Sequence, residues 1–144
     1  MSRPVTPLVT VDIIIEMCDR RERPVVLIQR RNPPLGWALP GGFVDVGERL
    51  ERAAVREAGE ETSLQVRLQG LLGCYSDPAR DPRGHTVSVV YVAEAEGTPQ
   101  AHDDARSLEL FDPQRPPPLV FDHRLILDDY LRFRSSGVTA PLRF

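Results

Sequence analysis

Residues 42–64 read GFVDVGERLERAAVREAGEETSL, and three glutamates in this stretch guide the interpretation of the whole chain. Glu57, Glu60 and Glu61 are spaced i, i+3 and i+4, which places them on one face of a helix. Carboxylates arranged in this way repel each other by roughly 0.2–0.5 kcal/mol per pair, so a bound cation would stabilise them. Because hard divalent ions such as Mg2+ bind carboxylate oxygens, one hypothesis is a metal-binding helix face. The alternative is the solvated face of a glutamate-rich helix.

The wider stretch carries a family signature. It resembles the signature of the Nudix hydrolases at Gly42, Glu48, Arg56, Glu57, Glu60, Glu61 and Leu64. The preceding residues 36–42, GWALPGG, resemble the usual lead-in to that signature. Their paired glycines would let the backbone approach a metal or a phosphate closely.

One position departs from the family pattern. Ser63 stands where the family has a glycine that ends the helix in a left-handed conformation. That conformation costs a residue with a Cβ roughly 1–2 kcal/mol. We therefore expect Ser63 to end the helix in a different way, with the metal ligands little affected.

The resemblance implies a metal site and a set of catalytic residues. Mg2+ or Mn2+ would be held by Glu57, Glu60, Glu61 and the carbonyl group of Gly42. Arg56 would orient a carboxylate, and Glu57 is the first candidate for the general base. Asp104 lies in a later acidic loop, where many relatives in the family place an acid, and it is a rival candidate for the base. The alternative for Asp104 is an ordinary acidic loop.

A softer resemblance points to the substrate. Nudix hydrolases cleave nucleoside diphosphates linked to another group, and residues 75–85, YSDPARDPRGH, resemble a subgroup that includes ADP-ribose pyrophosphatases. The resemblance therefore implies hydrolysis of ADP-ribose to AMP and ribose 5-phosphate. Arg30, Arg80 and Arg83 are the candidate substrate-binding residues, because guanidinium groups suit phosphates. For Arg80 and Arg83, solvated loop charge is an equally good interpretation.

Two other functions stay open: a house-cleaning nucleoside triphosphate pyrophosphatase, and a nucleotide-sensing Nudix domain without catalysis. The residues after Phe111 leave no room for a helix-turn-helix, and the acids of the signature are intact, which favours an enzyme. Two single residues also have two interpretations. His85 is a general base or a structural residue, and Trp37 is a base-stacking or a core residue. In both cases we prefer the structural interpretation.

Composition indicates one globular domain over residues 1–144, with 41% hydrophobic and 27% charged residues. The net charge of −3 argues against a broad nucleic-acid-binding surface. Cys18 and Cys74 do not make a disulfide framework, and the sequence has neither a signal-peptide pattern nor a membrane-spanning run. We therefore expect a cytoplasmic protein that works without a membrane. The resemblance adds a homodimer as an assembly to test.

Hydrophobic periodicity predicts the elements around the glutamates. Strands are predicted at residues 8–17, 25–28, 64–74, 86–93 and 107–111. A helix is predicted at residues 49–62, with Ala54, Val55 and Ala58 facing inward, and another follows Asp122 as its N-cap. Residues 135–144 are expected to be irregular. This pattern predicts the α/β class, with a mixed β-sheet between helices in an α/β/α sandwich, which is also the fold that the resemblance implies.

Overall fold

The computed structural model describes residues 2–144. Its strands are β1 (Leu8–Met17), β2 (Val25–Arg30), β3 (Trp37–Ala38), β4 (Gly41–Phe43), β5 (Arg67–Tyr75), β6 (Thr86–Ala95) and β7 (Ala105–Phe111). Its helices are α1 (Leu50–Thr62) and α2 (His123–Ser136). The predicted elements are therefore present, and their ends differ from the predicted ends by a few residues.

Strand β1 lies at the centre of a mixed sheet whose order is β3-β2-β1-β6-β5. It runs parallel to β6 along its whole length, from the pair Leu8 and Thr86 to the pair Met17 and Ala95. On its other side β1 is shared between two antiparallel neighbours, because β2 pairs with it at Glu16 and β4 pairs with it at residues 10–12. Strand β7 extends the sheet by pairing with β2. Because β1 pairs with β2 near one end and with β4 near the other, β4 lies in the middle of the sheet. Strand β4 is followed by α1.

The two helices cover opposite faces of this sheet, which confirms the predicted α/β/α sandwich. Helix α1 packs through Ala53, Ala54 and Ala58, whose small side chains let the helix approach the strands closely. Helix α2 packs on the other face through Ile126, Leu127 and Tyr130, all of them fully buried. Both faces of β1 are buried from Thr10 to Met17, because each face lies under a helix, and one of the faces carries the polar residues Thr10, Asp12 and Glu16.

One inward-facing prediction for α1 was wrong. Val55 is 39% exposed, and Ala53 lies on the buried side in its place. A helix turns by about 100° per residue, so Val55 lies one step beyond Ala54 and on the flank of the helix.

The expectation for the end of α1 was also wrong. Ser63 adopts the left-handed conformation, with φ 62° and ψ 15°, and its N–H donates to the carbonyl oxygen of Gly59 at 2.9 Å. The Thr62 carbonyl accepts a hydrogen bond from the N–H of Gln100 at 2.8 Å, and the Thr62 hydroxyl accepts one from the N–H of Leu64. These bonds offset the cost of placing a residue with a Cβ where glycine is usual.

Residues 137–144 are irregular, as predicted, and they are held against the rest of the chain, whereas Ser135 and Ser136, which were also predicted to be irregular, form the end of α2. The N–H of Ala140 donates to the carbonyl oxygen of Leu72 in β5, and Arg143 pairs with Asp129 of α2. Cys18 and Cys74 are free thiols. Among the residues that the structure describes, neither helix combines the length and the apolar character needed to cross a membrane.

Candidate active site

A cleft of about 450 Å3 opens where β4 and α1 face three connecting segments of the chain. Its acidic lining residues are Asp12, Asp45, Glu57, Glu61, Asp81 and Asp104. Its basic and aromatic lining residues are Arg30, Arg80, Arg83, His123, Phe43 and Phe121. A concave site that combines convergent charges with apolar rings is typical of small-ligand binding.

Glu61 is the most deeply buried of the three signature glutamates, with 4% of its surface exposed. Its carboxylate accepts a hydrogen bond from the N–H of Gly41 at 3.1 Å. Burial raises the pKa of Glu61 to about 8, and the nearby charges of Glu57, Asp12 and Asp104 add to the rise. A cation bound beside these carboxylates would favour the ionised form of Glu61.

Glu57 lies directly against the backbone of Gly42. A Cβ placed on Gly42 would be 2.5 Å from the carboxylate of Glu57, so only glycine allows this approach. Burial raises the pKa of Glu57, and the hydrogen bond from Arg56 opposes that rise. The structure thus brings together Gly42, Glu57 and Glu61, three of the predicted metal ligands.

Arg56 acts as a clamp on the outer side of these carboxylates. It donates to Glu48 from Nε at 2.7 Å and from Nη2 at 2.9 Å, and to Glu57 from Nη1 at 3.0 Å. The bond from Arg56 lowers the pKa of Glu48 to about 2. Arg56 also binds Glu60 at 3.2 Å, and Glu60 is not among the described residues that line the cleft. The glutamate most accessible to solvent therefore lies on the flank of the site.

The three predicted substrate-binding arginines differ in their partners. Arg80 is buried and donates to Asp122 through Nε and Nη2, at 3.0 and 2.8 Å. Arg83 donates to Asp81 through the same two nitrogens, at 3.0 and 2.9 Å.

The third arginine, Arg30, differs from these two because its hydrogen-bond partner is a backbone carbonyl group. Arg30 donates from Nε to the carbonyl oxygen of Pro34 at 2.9 Å, and within residues 2–144 it forms no ion pair with a carboxylate. Burial lowers the pKa of Arg30, and the charge of Arg83 lowers it further. Arg30 is thus the arginine of the cleft whose charge is least compensated by the protein.

The structure also gives the positions of three other residues that the sequence analysis considered for a functional role. Asp104 lines the cleft and accepts a hydrogen bond from the amide group of Asn32 at 3.3 Å. The His85 ring contacts the carbonyl oxygen of Ser76 at 2.9 Å, away from the cleft lining. Trp37 packs edge-to-face on Phe111, with 5.1 Å between the ring centres, which agrees with the core interpretation.

Sequence reasoning missed Asp12 and His123, which face each other inside the cleft. The Nδ1 atom of His123 accepts the N–H of Leu39 at 3.0 Å, so the ring proton lies on Nε2, which is 3.5 Å from the carboxylate of Asp12. Burial alone would raise the pKa of Asp12, but His123 and the Ser88 hydroxyl hold it below its usual value. A charged residue inside the apolar run of β1 was the available signal for Asp12. No comparable local signal marks His123.

The residues present fit a hard divalent cation. The candidate donors are carboxylate and carbonyl oxygens, and the approach of Gly42 to Glu57 is one that any Cβ would block. Among residues 2–144, no three Asp, Glu, His or Cys side chains are arranged to hold an ion by themselves. This agrees with Mg2+ chemistry, in which one or two carboxylates share the ion with water and substrate phosphates.

Comparison with known proteins is consistent with this site. A protein from Methanocaldococcus jannaschii named ADP-ribose pyrophosphatase is 46% identical over 133 residues, which are 90% of this chain and 76% of that protein. The ADPR-responsive transcriptional repressor NtrR of Acinetobacter baylyi is 39% identical over 92 residues, which are 61% of this chain and 37% of the repressor. The NUDIX domain of Shewanella oneidensis NrtR, solved with ADP ribose, has a TM-score of 0.77 and 30% identity, covering 92% of this chain and 90% of that chain.

The family model described as the NUDIX domain matches residues 6–130. That match includes the whole signature stretch, the three arginines and the aromatic residues of the cleft. On the extent of this match, the chain belongs to the NUDIX domain family.

Proposed function

We propose that this protein hydrolyses the pyrophosphate bond of ADP-ribose and releases AMP and ribose 5-phosphate. The proposal rests on one observation, which is that the cleft is lined both by carboxylates and by a guanidinium group without an ion-pair partner. Glu57 and Glu61 lie against the glycine backbone on one side, and Arg30 offers an uncompensated guanidinium group to the same cleft. A pyrophosphate needs both cations and positioned carboxylates for hydrolysis. The M. jannaschii and S. oneidensis proteins support ADP-ribose as the ligand.

Glu57, Glu61 and the carbonyl group of Gly42 would hold Mg2+ or Mn2+, with Glu60 joining if its side chain leaves Arg56. The bound ion would neutralise the charge of the pyrophosphate and lower the pKa of a water molecule. Arg56 keeps Glu57 oriented through the bond at 3.0 Å. This hydrogen bond restricts the rotation of the Glu57 carboxylate beside Gly42.

The proton of the attacking water needs an acceptor in the cleft. Glu57 is the proposed general base, because its carboxylate lies in the cleft and is held in place by Arg56. Asp104 is the rival, since it lies in the cleft on a loop outside α1. Arg30 would bind the phosphate oxygens and stabilise the charge that develops as the bond breaks.

Product analysis tests the proposal. The protein is incubated with Mg2+ or Mn2+ and ADP-ribose, beside nucleoside triphosphates, dinucleotides and nucleotide sugars. We expect AMP from ADP-ribose at a rate well above that of the other substrates. Pyrophosphate released from a triphosphate, with ADP-ribose left intact, would contradict the substrate and favour the triphosphate pyrophosphatase.

A second candidate is an ADP-ribose sensor, which the A. baylyi repressor and the S. oneidensis NrtR domain favour. A sensor would bind ADP-ribose without releasing AMP. Calorimetry of ADP-ribose binding, followed by chromatography of the same sample, separates the two candidates. The presence of both Glu57 and Glu61 in the cleft favours turnover.

We further propose a setting for this activity: one domain over residues 1–144, in the cytoplasm, acting on small nucleotides apart from nucleic acids and membranes. The net charge of −3 and the two free thiols support this setting. The proposed assembly is a homodimer, and light scattering coupled to size exclusion would measure it.

A further inference from the structure

We propose that His123, the first residue of α2, is a positioning residue for the metal site. It holds residues 39–42, the glycine segment, which faces the glutamates of α1. The Nδ1 atom of the His123 ring accepts the N–H of Leu39 at 3.0 Å. The side chain is only 3% exposed, and it lines the cleft. This inference rests on the proposed function and adds a residue that would act on the metal through Gly41 and Gly42.

The glycine segment needs anchors outside itself, because two adjacent glycines restrict the backbone very little. Pro40 has no N–H group, so the N–H of Leu39 is the last donor before that of Gly41. The carbonyl oxygen of Pro40 accepts a hydrogen bond from β1 at 2.9 Å, and the N–H of Gly41 donates to Glu61 at 3.1 Å. The His123 ring therefore fixes the backbone two residues before the group that holds Glu61.

A second contact links the same ring to Gly41. The Nε2 atom of His123 lies 3.5 Å from the carboxylate of Asp12, which also accepts the hydroxyl group of Ser88. Asp12 pairs with Gly41 across β1 and β4, and a Cβ on Gly41 would overlap an oxygen of the Asp12 side chain. A shift of the ring would thus reach Gly41 through Leu39 and through Asp12.

His123 can serve as an anchor because the start of α2 is itself fixed. The preceding Asp122 is held by Arg80 through Nε and Nη2, at 3.0 and 2.8 Å. Phe121 adopts the left-handed conformation, with φ 57°, which a residue with a Cβ adopts only where its surroundings hold it. Its ring lies against that of His123, with 5.1 Å between the ring centres. The anchor thus comes from the helix on the face opposite α1, whose buried side chains belong to the core of that face.

The position of the glycine segment decides how the proposed metal ligands meet. A Cβ on Gly42 would be 2.5 Å from the carboxylate of Glu57, and Glu61 accepts the N–H of Gly41. A cation held by the Gly42 carbonyl group and by both carboxylates is sensitive to any movement of that carbonyl. Contacts behind the metal ligands commonly change metal affinity or activity by about 10- to 100-fold. We therefore expect His123 to matter for metal affinity beyond its contribution to stability.

Two substitutions of His123 separate the roles of its two ring nitrogens. In His123→Asn the side-chain oxygen stands at the position of Nδ1 and can still accept the N–H of Leu39. In His123→Gln the amide group lies one bond farther out, where it can reach Asp12 but not the N–H of Leu39. Electron paramagnetic resonance of free Mn2+ measures binding to the intact protein without nucleotide. We expect His123→Gln to weaken Mn2+ binding by about 10- to 100-fold, and His123→Asn to weaken it by less than about threefold.

Hydrogen exchange reports the same contact without a metal. The N–H of Leu39 should exchange faster in His123→Gln than in the unaltered protein, and at an unchanged rate in His123→Asn. The matched control is Tyr130→Phe, which removes a buried hydroxyl group of the same helix from its contact with Glu16. This control should lower the melting temperature and leave both Mn2+ affinity and the exchange of the Leu39 N–H unchanged.

If His123→Gln does not fold, Ser88→Ala takes its place. It removes the hydroxyl group that donates to Asp12 and leaves the His123 side chain as it is. Because Asp12 is the second contact of the ring, Ser88→Ala should weaken Mn2+ binding in the same direction, by at least about threefold.

Four results would overturn the positioning role: unchanged Mn2+ affinity in the folded test variant, equal weakening in His123→Asn and His123→Gln, the same weakening in Tyr130→Phe, or no Mn2+ binding by the unaltered protein. The proposed function fails separately. If His123→Gln weakens Mn2+ binding as expected but the unaltered protein releases no AMP from ADP-ribose, the positioning role stands and the hydrolase assignment falls.

Discussion

Arg80 and Asp122 form a bidentate ion pair, in which Nε and Nη2 of the arginine lie 3.0 and 2.8 Å from the two carboxylate oxygens. The pair joins the loop before β6 to the residue that precedes α2. The side chain of Arg80 is only 3% exposed, and its buried charge is compensated mainly by Asp122 at 2.8 Å, with Asp12 farther away at 3.9 Å. The pair therefore fixes Asp122, the residue next to the strained Phe121.

Removal of the charge of Asp122 should leave the guanidinium charge of Arg80 buried without its nearest partner. We expect Asp122→Asn to lower the free energy of unfolding by about 3 kcal/mol, measured by urea denaturation at neutral pH. The matched control is Asp128→Asn, which breaks the exposed pair with Arg124 and should cost less than about 1 kcal/mol. Equal losses in the two variants would contradict the buried character of the Arg80 pair.

The approach of Gly42 to Glu57 gives a test of the site that leaves the fold in place. In Gly42→Ala the new methyl group would displace the carboxylate of Glu57, and a misplacement of this size lowers kcat/KM by about 10²-fold. Gly70→Ala is the control, because a Cβ on Gly70 meets no atom within 4 Å. Circular dichroism checks that both variants fold. Wild-type kcat/KM in Gly42→Ala would show that Glu57 is not used beside Gly42.

Glu61 should be required for turnover and not for folding. Glu61→Gln keeps the size of the side chain and an oxygen for the N–H of Gly41, but it removes the charge that would hold a cation. We expect metal-dependent turnover to disappear while the melting temperature without metal stays the same or rises. Turnover at the wild-type rate would remove Glu61 from the proposed metal site.

Arg30 should contribute more to substrate binding than its neighbour Arg31. Loss of a charge-assisted bond to a phosphate costs about 1.5–3 kcal/mol, so Arg30→Gln should lower kcat/KM for ADP-ribose by about 10- to 150-fold. Arg31 is exposed, and Arg31→Gln should lower it by less than about threefold. If the two variants behave alike, the unpaired state of Arg30 has no role in binding.

The C-terminal residues should detach in acid. Asp129 accepts both Nη1 and Nη2 of Arg143 at 2.8 Å, and it also accepts the hydroxyl group of Tyr75 at 2.8 Å. Burial alone would raise the pKa of Asp129, but Arg143 and Tyr75 hold it below the ordinary value of 3.8. A lowered carboxyl pKa contributes stability above pH 3.8 that is lost as the pH falls through the folded-state value.

We therefore compare Arg143→Gln with the unaltered protein by denaturation at two pH values. At pH 7 the variant should be less stable by about 1–2 kcal/mol. In acid, as the pH falls through the folded-state pKa of Asp129, the difference should shrink because the carboxyl group takes up a proton. The exposed Arg124→Gln serves as control and should show little difference at either pH. A difference that persists undiminished in acid would contradict the ionic origin of the contact.

Local patterns were sufficient where the interaction is local. The helix over residues 50–62 follows from the spacing of its residues, and its glutamates share one face because a helix repeats every 3.6 residues. The alternation of residues 8–17 predicted β1 to its ends. These features depend on residues only a few positions apart, so the amino-acid sequence alone is enough to predict them.

The tertiary structure decided which charges are already compensated. Arg30, Arg80 and Arg83 are equivalent candidates in the sequence, yet Asp122 and Asp81 neutralise two of them and leave Arg30 open. The partner of Arg80 lies 42 positions away. No local pattern marks such a pair, because it exists only after the sheet brings the segments together.

The sequence by itself determined the family, the order of the elements and the glutamates of α1, since each depends on residue types at short spacings. Only the tertiary structure placed Asp12 beside His123, and Phe121 beside Arg83. Those contacts follow from the pairing of β1 with β6 and from the packing of α2 on the opposite face from α1. Burial and charge compensation in the cleft are properties of that packing, and they decide which of the predicted residues can act.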